Sequence, residues 1–457
     1  MRVKNFICLL GILLISIQQA KSVEIIYPRK TDTIINSATT FFVGNETPTK
    51  NLTINNEPVQ IHESGGFYHP VNLEYGQNTF NISNGESGKI YTISRPEPTT
   101  TNTTATPKTI YFDEAKHFIV KENNTPLRST PINFGINRLQ HLEKDTPLKV
   151  IGEYNEFYKV QLARDDYAYI MKEDVTPNLD IDTGLAILES YVYEETQDRR
   201  IFKIKLSKKV PYTLSENQGL DLIIYNVKGF PENKYEFHIN NNHKLFGYKS
   251  YFRNNSELTI EVKNYPQIDK LTPLSGLKIV LDAGHGGSEI GTTGCLGHKE
   301  KDINLQLTNK LQEKLVQKGA RVFSTRADDY NIELKNRVEA AQYLNSDIFI
   351  SIHHNAPPDS AAFSNKSGSS VFYFYPQSKP LAKSIQNALV TELELNNDNV
   401  KAQSFAVVRN TQSLAILVEI GYMTNPEDNA KIITPEFQDK AADAIIHGLE
   451  NYLNDIQ

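Results

Sequence analysis

The residues best suited to chemistry lie in the last two fifths of the chain. They are Asp282 and His285 in LDAGHGG, Glu300 in GHKEKDINL, His353 and His354 in SIHHN, and Glu419 in ILVEIGYMTNP. Two imidazoles and one carboxylate are a usual tetrahedral Zn²⁺ set that leaves a fourth position open to water. His285, His353 and Glu300 meet that count, each from a different segment. Gly284, Gly286 and Gly287 allow a tight turn and close approach to a ligand, while no GxxxxGK pattern marks a phosphate cradle. His354 would face away from His353 if the strand persists. His298 is an alternative to Glu300, Cys295 is a soft ligand type nearby, and Asp282 either orients His285 or satisfies the turn after a strand. Glu419 ends the apolar run LAILV, where burial near a cation would give its charge a reason to exist; the alternative is a solvated carboxylate.

These residues need elements to place them. From Gly276 onward, strands alternate with helix-length amphipathic runs. KIVLDAG, RVFST, DIFISIHH, SSVFYFY and LAILVEI read as strands, and Ile303, Leu307, Leu311 and Leu315 form the i, i+4 stripe of a helix. Further helices fit Ile332 to Leu344, Lys379 to Leu395 and Glu436 to Leu453. The expectation is an α/β domain with a mostly parallel sheet flanked by helices. Such sheets place their sites at the carboxyl ends of strands, where the polar residues above fall.

LDAGHGG, GHKEKDINL, STRADD, LKNRVEAAQYLNSDIFISIHHNA, GSSVFYF and ILVEIGYMTNPED follow one another in the order found in zinc-dependent N-acetylmuramoyl-L-alanine amidases, and this stretch, about residues 276 to 453, resembles that family. The resemblance implies one Zn²⁺ per catalytic domain, held by His285, Glu300 and His353, with Glu419 as the catalytic carboxylate. It implies ion-pair or substrate-contact roles for Arg326 and Arg337, with His354 and Asp282 in supporting places. The implied reaction is hydrolysis of the amide between the lactyl group of N-acetylmuramic acid and L-alanine of the peptidoglycan stem. A non-catalytic wall-binding protein and a zinc peptidase acting on the stem are the alternatives. Division amidases of the family often carry a helical plug after the strand that corresponds to Ser369–Tyr375. Here only Pro376 to Lys379 intervenes, which implies an open form active without a partner protein.

The rest of the chain reads as β-structure preceded by an export signal. MRVKN, an apolar run of about twelve residues, and Ala20 and Ser22 in the −3 and −1 relation fit a signal peptide over 1–22. Residues 23–95 come in short apolar bursts broken by Pro, Gly and Asn, the pattern of an antiparallel sandwich, and resemble the immunoglobulin-like modules of cell-wall enzymes. Residues 96–109, rich in Thr and Pro, are a linker. Residues 110–178 resemble a bacterial SH3-like barrel, with Ala168-Tyr169 where Gly-Trp often stands, and 179–271 form a β-rich accessory domain. The catalytic domain occupies 272–457. Aromatic residues of the β modules are assigned to cores rather than to carbohydrate platforms.

Composition sets the outer bounds. The 457 residues carry 48 Lys plus Arg against 54 Asp plus Glu, a formal charge of −6, so long-range attraction offers no argument for nucleic acid. With two cysteines in the chain, Cys8 and Cys295, the first in the signal, a disulfide framework is excluded for the mature protein. No later run approaches the length of a membrane span. The expected partner is peptidoglycan, met by a monomer exported to the periplasm, the cell wall or the extracellular space.

Overall fold

Strand-forming and helix-forming runs that alternate from residue 278 onward build a six-stranded mixed sheet with helices packed against it. The computed structural model describes residues 23–98, 108–240, 245–358 and 366–456. The expected signal peptide (1–22) and most of the expected linker (96–109) lie outside the described residues. Numbering within this C-terminal domain alone, the elements are β1 Lys278–Ala283, α1 Glu300–Gln317, β2 Arg321–Ser324, α2 Leu334–Tyr343, β3 Ile348–Asn355, β4 Ser369–Tyr373, α3 Lys379–Leu393, β5 Asn397–Ala402, β6 Leu414–Tyr422, α4 Pro426–Ile432 and α5 Pro435–Asp455. The strand order is β2-β1-β3-β6-β4-β5. Four pairings are parallel and β4 runs antiparallel to β6. β5 and α4 escape the sequence reading, because NDNVKA carries little apolar patterning and PEDNAKI is shorter than the span a periodicity needs.

The middle of the sheet is buried on both faces, which is why β6 reads as the nearly unbroken apolar run LAILV. Leu307, Leu311 and Leu315 of α1 enter one core with Ile279, Leu281, Ile350, Ile352 and the inner faces of α3 and α5, while Ile303 packs with Met423 and with Ile432 of α4. Each such side chain contributes about 1.5–3 kcal/mol when taken out of water. This packing fixes α1 against β1 and β3, and so fixes Glu300 at its first turn relative to the strand ends. Among the described residues, no helix is long and apolar enough to cross a membrane.

Three β units precede this domain. Residues 24–95 form two facing sheets, one of three strands and one of five, around Phe42, Phe67, Ile82 and Ile93. One pairing, Asp32–Ile34 with Gly88–Arg95, is parallel, so this sandwich departs from the all-antiparallel expectation. Residues 110–177 make a seven-stranded antiparallel sheet in which the long strand Ile110–Val120 pairs with both Pro147–Tyr154 and Val175–Pro177. A four-stranded and a three-stranded sheet share the core of the third unit, which includes Ile204, Leu222 and Ile260. That unit is joined to the C-terminal domain by Lys263, whose ammonium donates to the Ser346 carbonyl, and by Arg199 on the Asn345 side chain at 2.7 Å.

Candidate metal centre

As β1 ends, its backbone loses ladder partners, and the carbonyls of Ala283, Gly284 and His285 must be satisfied by other donors. Two buried guanidiniums do this. Arg326 donates Nε to Ala283 O (2.9 Å) and Nη2 to Gly284 O (3.0 Å) and Lys301 O (2.8 Å). Arg337 donates Nη1 to Ala283 O (2.9 Å) and Nη2 to His285 O (2.9 Å). Above these held carbonyls His285 takes a left-handed backbone at φ 61°, and its side chain stays partly exposed. Such a conformation is uncommon outside glycine and is held here by the surrounding contacts.

The three candidate ligands converge. His285 Nε2 lies 3.2 Å and His353 Nδ1 3.0 Å from the same oxygen, Oε1 of Glu300. One ligand atom from each residue lies within 4.8 Å of the other two, and the two rings stand 4.9 Å apart at 77°. Ligands about 2.1 Å from a tetrahedral ion stand roughly 3.4 Å from one another, so this donor set fits a zinc-sized cation. The other carboxylate oxygen, Oε2, accepts the Thr292 N–H at 2.9 Å, which leaves Oε1 to face the imidazoles. Burial alone would raise the Glu300 pKa, but the hydrogen bonds and charges of His285 and His353 outweigh it and hold the carboxyl well below its usual range. The Glu300 side chain is 5% exposed, while the His285 and His353 rings keep 30% and 17% of their surface on the solvent side.

Close packing makes the glycines specific. A Cβ on Gly284 would lie 2.2 Å from Cε1 and Nε2 of His353, and one on Gly291, at φ 66°, would lie 2.5 Å from Glu300 Oε2. Asn304, four residues after Glu300 on α1 and fully buried, donates to Gly284 O at 3.2 Å and accepts from His354 Nδ1 at 2.8 Å. Sequence reasoning passed over Asn304. Its signal was available: an amide four residues after Glu300, and so on the same face of α1.

His354 faces α1, away from His353. Burial depresses its pKa to about 4, which keeps the ring neutral. His298 is exposed and stands outside the converging group. Cys295 is fully buried against Phe41 and Val43 of the first sandwich, with its thiol 3.3 Å from Asn429 Oδ1. Asp282 is neither a partner of the His285 ring nor a simple turn residue. It accepts from Arg337 Nη1 (2.7 Å), Thr325 Oγ1 (2.6 Å) and Ser351 Oγ (2.7 Å), and so anchors the arginine that holds His285. Arg326 and Arg337 are 1% and 3% exposed: Arg326 is spent on backbone carbonyls, and Arg337 on the loop backbone and on its ion pair with Asp282.

Glu419 sits across from His353 in the β3–β6 register. Its Oε2 is buried and accepts no hydrogen bond from the described residues. Burial and the negative charge of Glu300 push its carboxyl well above the usual range, partly offset by Lys401. A second carboxylate on the strand next to the candidate metal set is of the residue type that can take and return a proton.

An α/β domain that gathers two imidazoles and a carboxylate at its strand ends, with a second carboxylate on the neighbouring strand, has the makings of a metal-dependent hydrolase. The comparisons sharpen this. The family model described as N-acetylmuramoyl-L-alanine amidase (Amidase_3) matches residues 279–451. The uncharacterized protein YqiI of Bacillus subtilis is 38% identical over 184 residues, 39% of this chain and 86% of that protein. The probable cell wall amidase LytH of Staphylococcus epidermidis is 34% identical over 184 residues, and the chain spans 60% of its length. A crystal structure of N-acetylmuramoyl-L-alanine amidase from Clostridium difficile 630 shares 33% identity over 40% of this chain and all of that one, with a TM-score of 0.38. The chain belongs to the N-acetylmuramoyl-L-alanine amidase family, and its C-terminal domain is a hydrolase of that class.

Proposed function

We propose that this protein is an exported, zinc-dependent amidase that cleaves the bond between the lactyl group of N-acetylmuramic acid and L-alanine in peptidoglycan. The observation that carries the reading is the convergence of His285 Nε2 and His353 Nδ1 on one oxygen of Glu300. These three residues would hold one zinc ion, which when bound supplies a Lewis acid for the carbonyl and lowers the pKa of water. Glu419 would take a proton from the attacking water and return it to the departing L-alanine nitrogen. Its unpartnered oxygen and its place across from His353 support that role. Arg326, Arg337, Asn304 and Asp282 keep the ligand loop in place and touch no reacting atom in this account.

The short turn Pro376–Ser378 between β4 and α3 carries no helical plug, and the partly exposed rings favour an enzyme that needs no partner to open it. The domain reading is a sandwich over 23–95, an SH3-like unit over 110–178, an accessory unit over 179–271 and the catalytic domain over 272–457, acting as a monomer at the cell wall. The test is digestion of purified sacculi with zinc, with a chelator, and with Glu419→Gln. Free stem peptide should appear with zinc, vanish with the chelator, and fall at least about 100-fold in the variant while its zinc content stays near one. Masses showing cleavage within the stem peptide, or a fully active variant, would remove the reading.

A further inference from the structure

The strand Thr39–Asn45 of the first sandwich reads TTFFVGN, with nearly every residue buried. A sandwich strand with one solvated face should alternate, so this one has both faces covered. Phe42 points into the sandwich core, while Phe41 and Val43 pack on Cys295 and Leu296 of the loop between His285 and Glu300. Asn45 Nδ2 donates to Cys295 O at 3.2 Å, and Gly66 approaches so closely that a Cβ there would lie 2.6 Å from the Cys295 sulfur. The sandwich is therefore seated on the ligand loop itself.

Beside this contact lies a cleft of about 490 Å³ whose walls come from both domains. The C-terminal domain contributes Gly291 and Thr292, Ala356 and Pro357, and Thr424. These residues continue the three segments that present Glu300, His353 and Glu419. Gly291 touches Glu300 and the His285 ring, and Thr292 holds Glu300 through its N–H. From the sandwich come Tyr27, Ile34 and the two cations Arg29 and Lys30, both exposed. Among the described residues, neither cation makes an ion pair, and the cleft lining contains no carboxylate, in a chain whose net charge is −6. Two unneutralised cations and a few apolar surfaces next to the metal set fit an anionic peptide better than an uncharged sugar chain.

We propose that the N-terminal sandwich forms one wall of the substrate cleft, where Arg29 and Lys30 bind the free carboxylates of the stem peptide. This rests on the amidase reading and assigns its peptide side: the stem leaves the metal set towards the sandwich, and the glycan runs on the other side. A role for the module in substrate selection follows, in place of simple tethering.

The experiment titrates the full mature chain by calorimetry with a synthetic stem tetrapeptide, L-Ala-γ-D-Glu-L-Lys-D-Ala, and with the same peptide amidated at its carboxylates. The free acid should bind, and either amidation or the R29E/K30E double variant should weaken it by about 10-fold or more, with R29A/K30A intermediate. Both side chains are exposed, so the variants should keep the fold, checked by circular dichroism. Equal binding of acid and amide, equal binding by wild type and R29E/K30E, or no binding by wild type overturns the proposal. So does binding of an uncharged chitotetraose that the double variant loses, which would make this a glycan site. No bond is cut in the titration, so a chain that binds the peptide yet leaves sacculi intact counts against the amidase reading and not against this cleft.

Discussion

Replacing Gly284 with alanine is the sharpest single perturbation of the centre. The φ of Gly284 lies outside the left-handed region, so an alanine there costs the backbone nothing; the new methyl instead meets the His353 ring at 2.2 Å from Cε1 and Nε2 and 2.6 Å from Cδ2. Non-bonded carbons rest at about 3.5–4.0 Å, so the ring must withdraw by more than about 1 Å. Metal–ligand distances tolerate only about ±0.2 Å, and a displacement of about 1 Å in a catalytic geometry costs on the order of 100-fold. The rotation of one partly exposed ring should cost the fold only about 1–3 kcal/mol. Gly284→Ala is therefore expected to remain folded by circular dichroism, to lose zinc affinity by at least about 100-fold in a chelator competition, and to release stem peptide at about a hundredth of the wild-type rate. Wild-type zinc affinity in a folded variant would refute the argument, because His353 could not then be ligating from the position next to Gly284.

Other outcomes follow from the same contacts. Arg337→Ala leaves the carboxylate of Asp282 buried with only two hydroxyl donors, and should destabilise the C-terminal domain by about 3–5 kcal/mol in denaturant titration; a loss under about 1 kcal/mol would show that the ion pair does not hold the loop. His141 accepts from Arg138 Nη1 at 3.2 Å, and burial together with the charges of Arg138, Arg409 and Arg128 depresses its pKa to about 3. Below its usual value of about 6.5 the unfolded chain takes up a proton that the folded chain refuses, so stability falls as the pH drops from about 6.5 towards 3, by up to about 1.4 kcal/mol per unit. The thermal midpoint of His141→Gln should therefore drop less than that of wild type between pH 7 and pH 4.5, and an equal drop would count against a neutral His141.

Much of the site was legible because its residues stand at ends of elements whose periods are strong. The apolar runs KIVL, DIFISI and LAILV are long enough to be strands, and strands that end within a few residues of His285, His353 and Glu419 deliver those side chains to one end of the sheet. Glu300 was reachable through the stripe Ile303, Leu307, Leu311 and Leu315, which fixes where α1 begins and which side it buries. The partners of Arg326, Arg337 and Asp282 were not legible. An arginine after a strand has the same local pattern whether it meets a substrate or three backbone carbonyls, and the choice depends on a loop that approaches from 40 to 50 residues away in sequence, roughly the separation seen between Arg326 and Ala283.

What the sequence by itself determined, then, is the chemistry and its order along the chain: residue types able to bind a cation, placed at the ends of apolar elements whose hydrophobic periods dictate strand and helix. Only the tertiary structure decided which oxygen of Glu300 faces the imidazoles, that Asn304 and two guanidiniums hold the loop, and that Cys295 belongs to a contact with the first sandwich. The physical reason is that period and propensity act between near neighbours in the chain. The satisfaction of a buried carbonyl, or the covering of a second strand face such as that of Phe41, is instead settled by whichever distant group packing brings within about 3–4 Å.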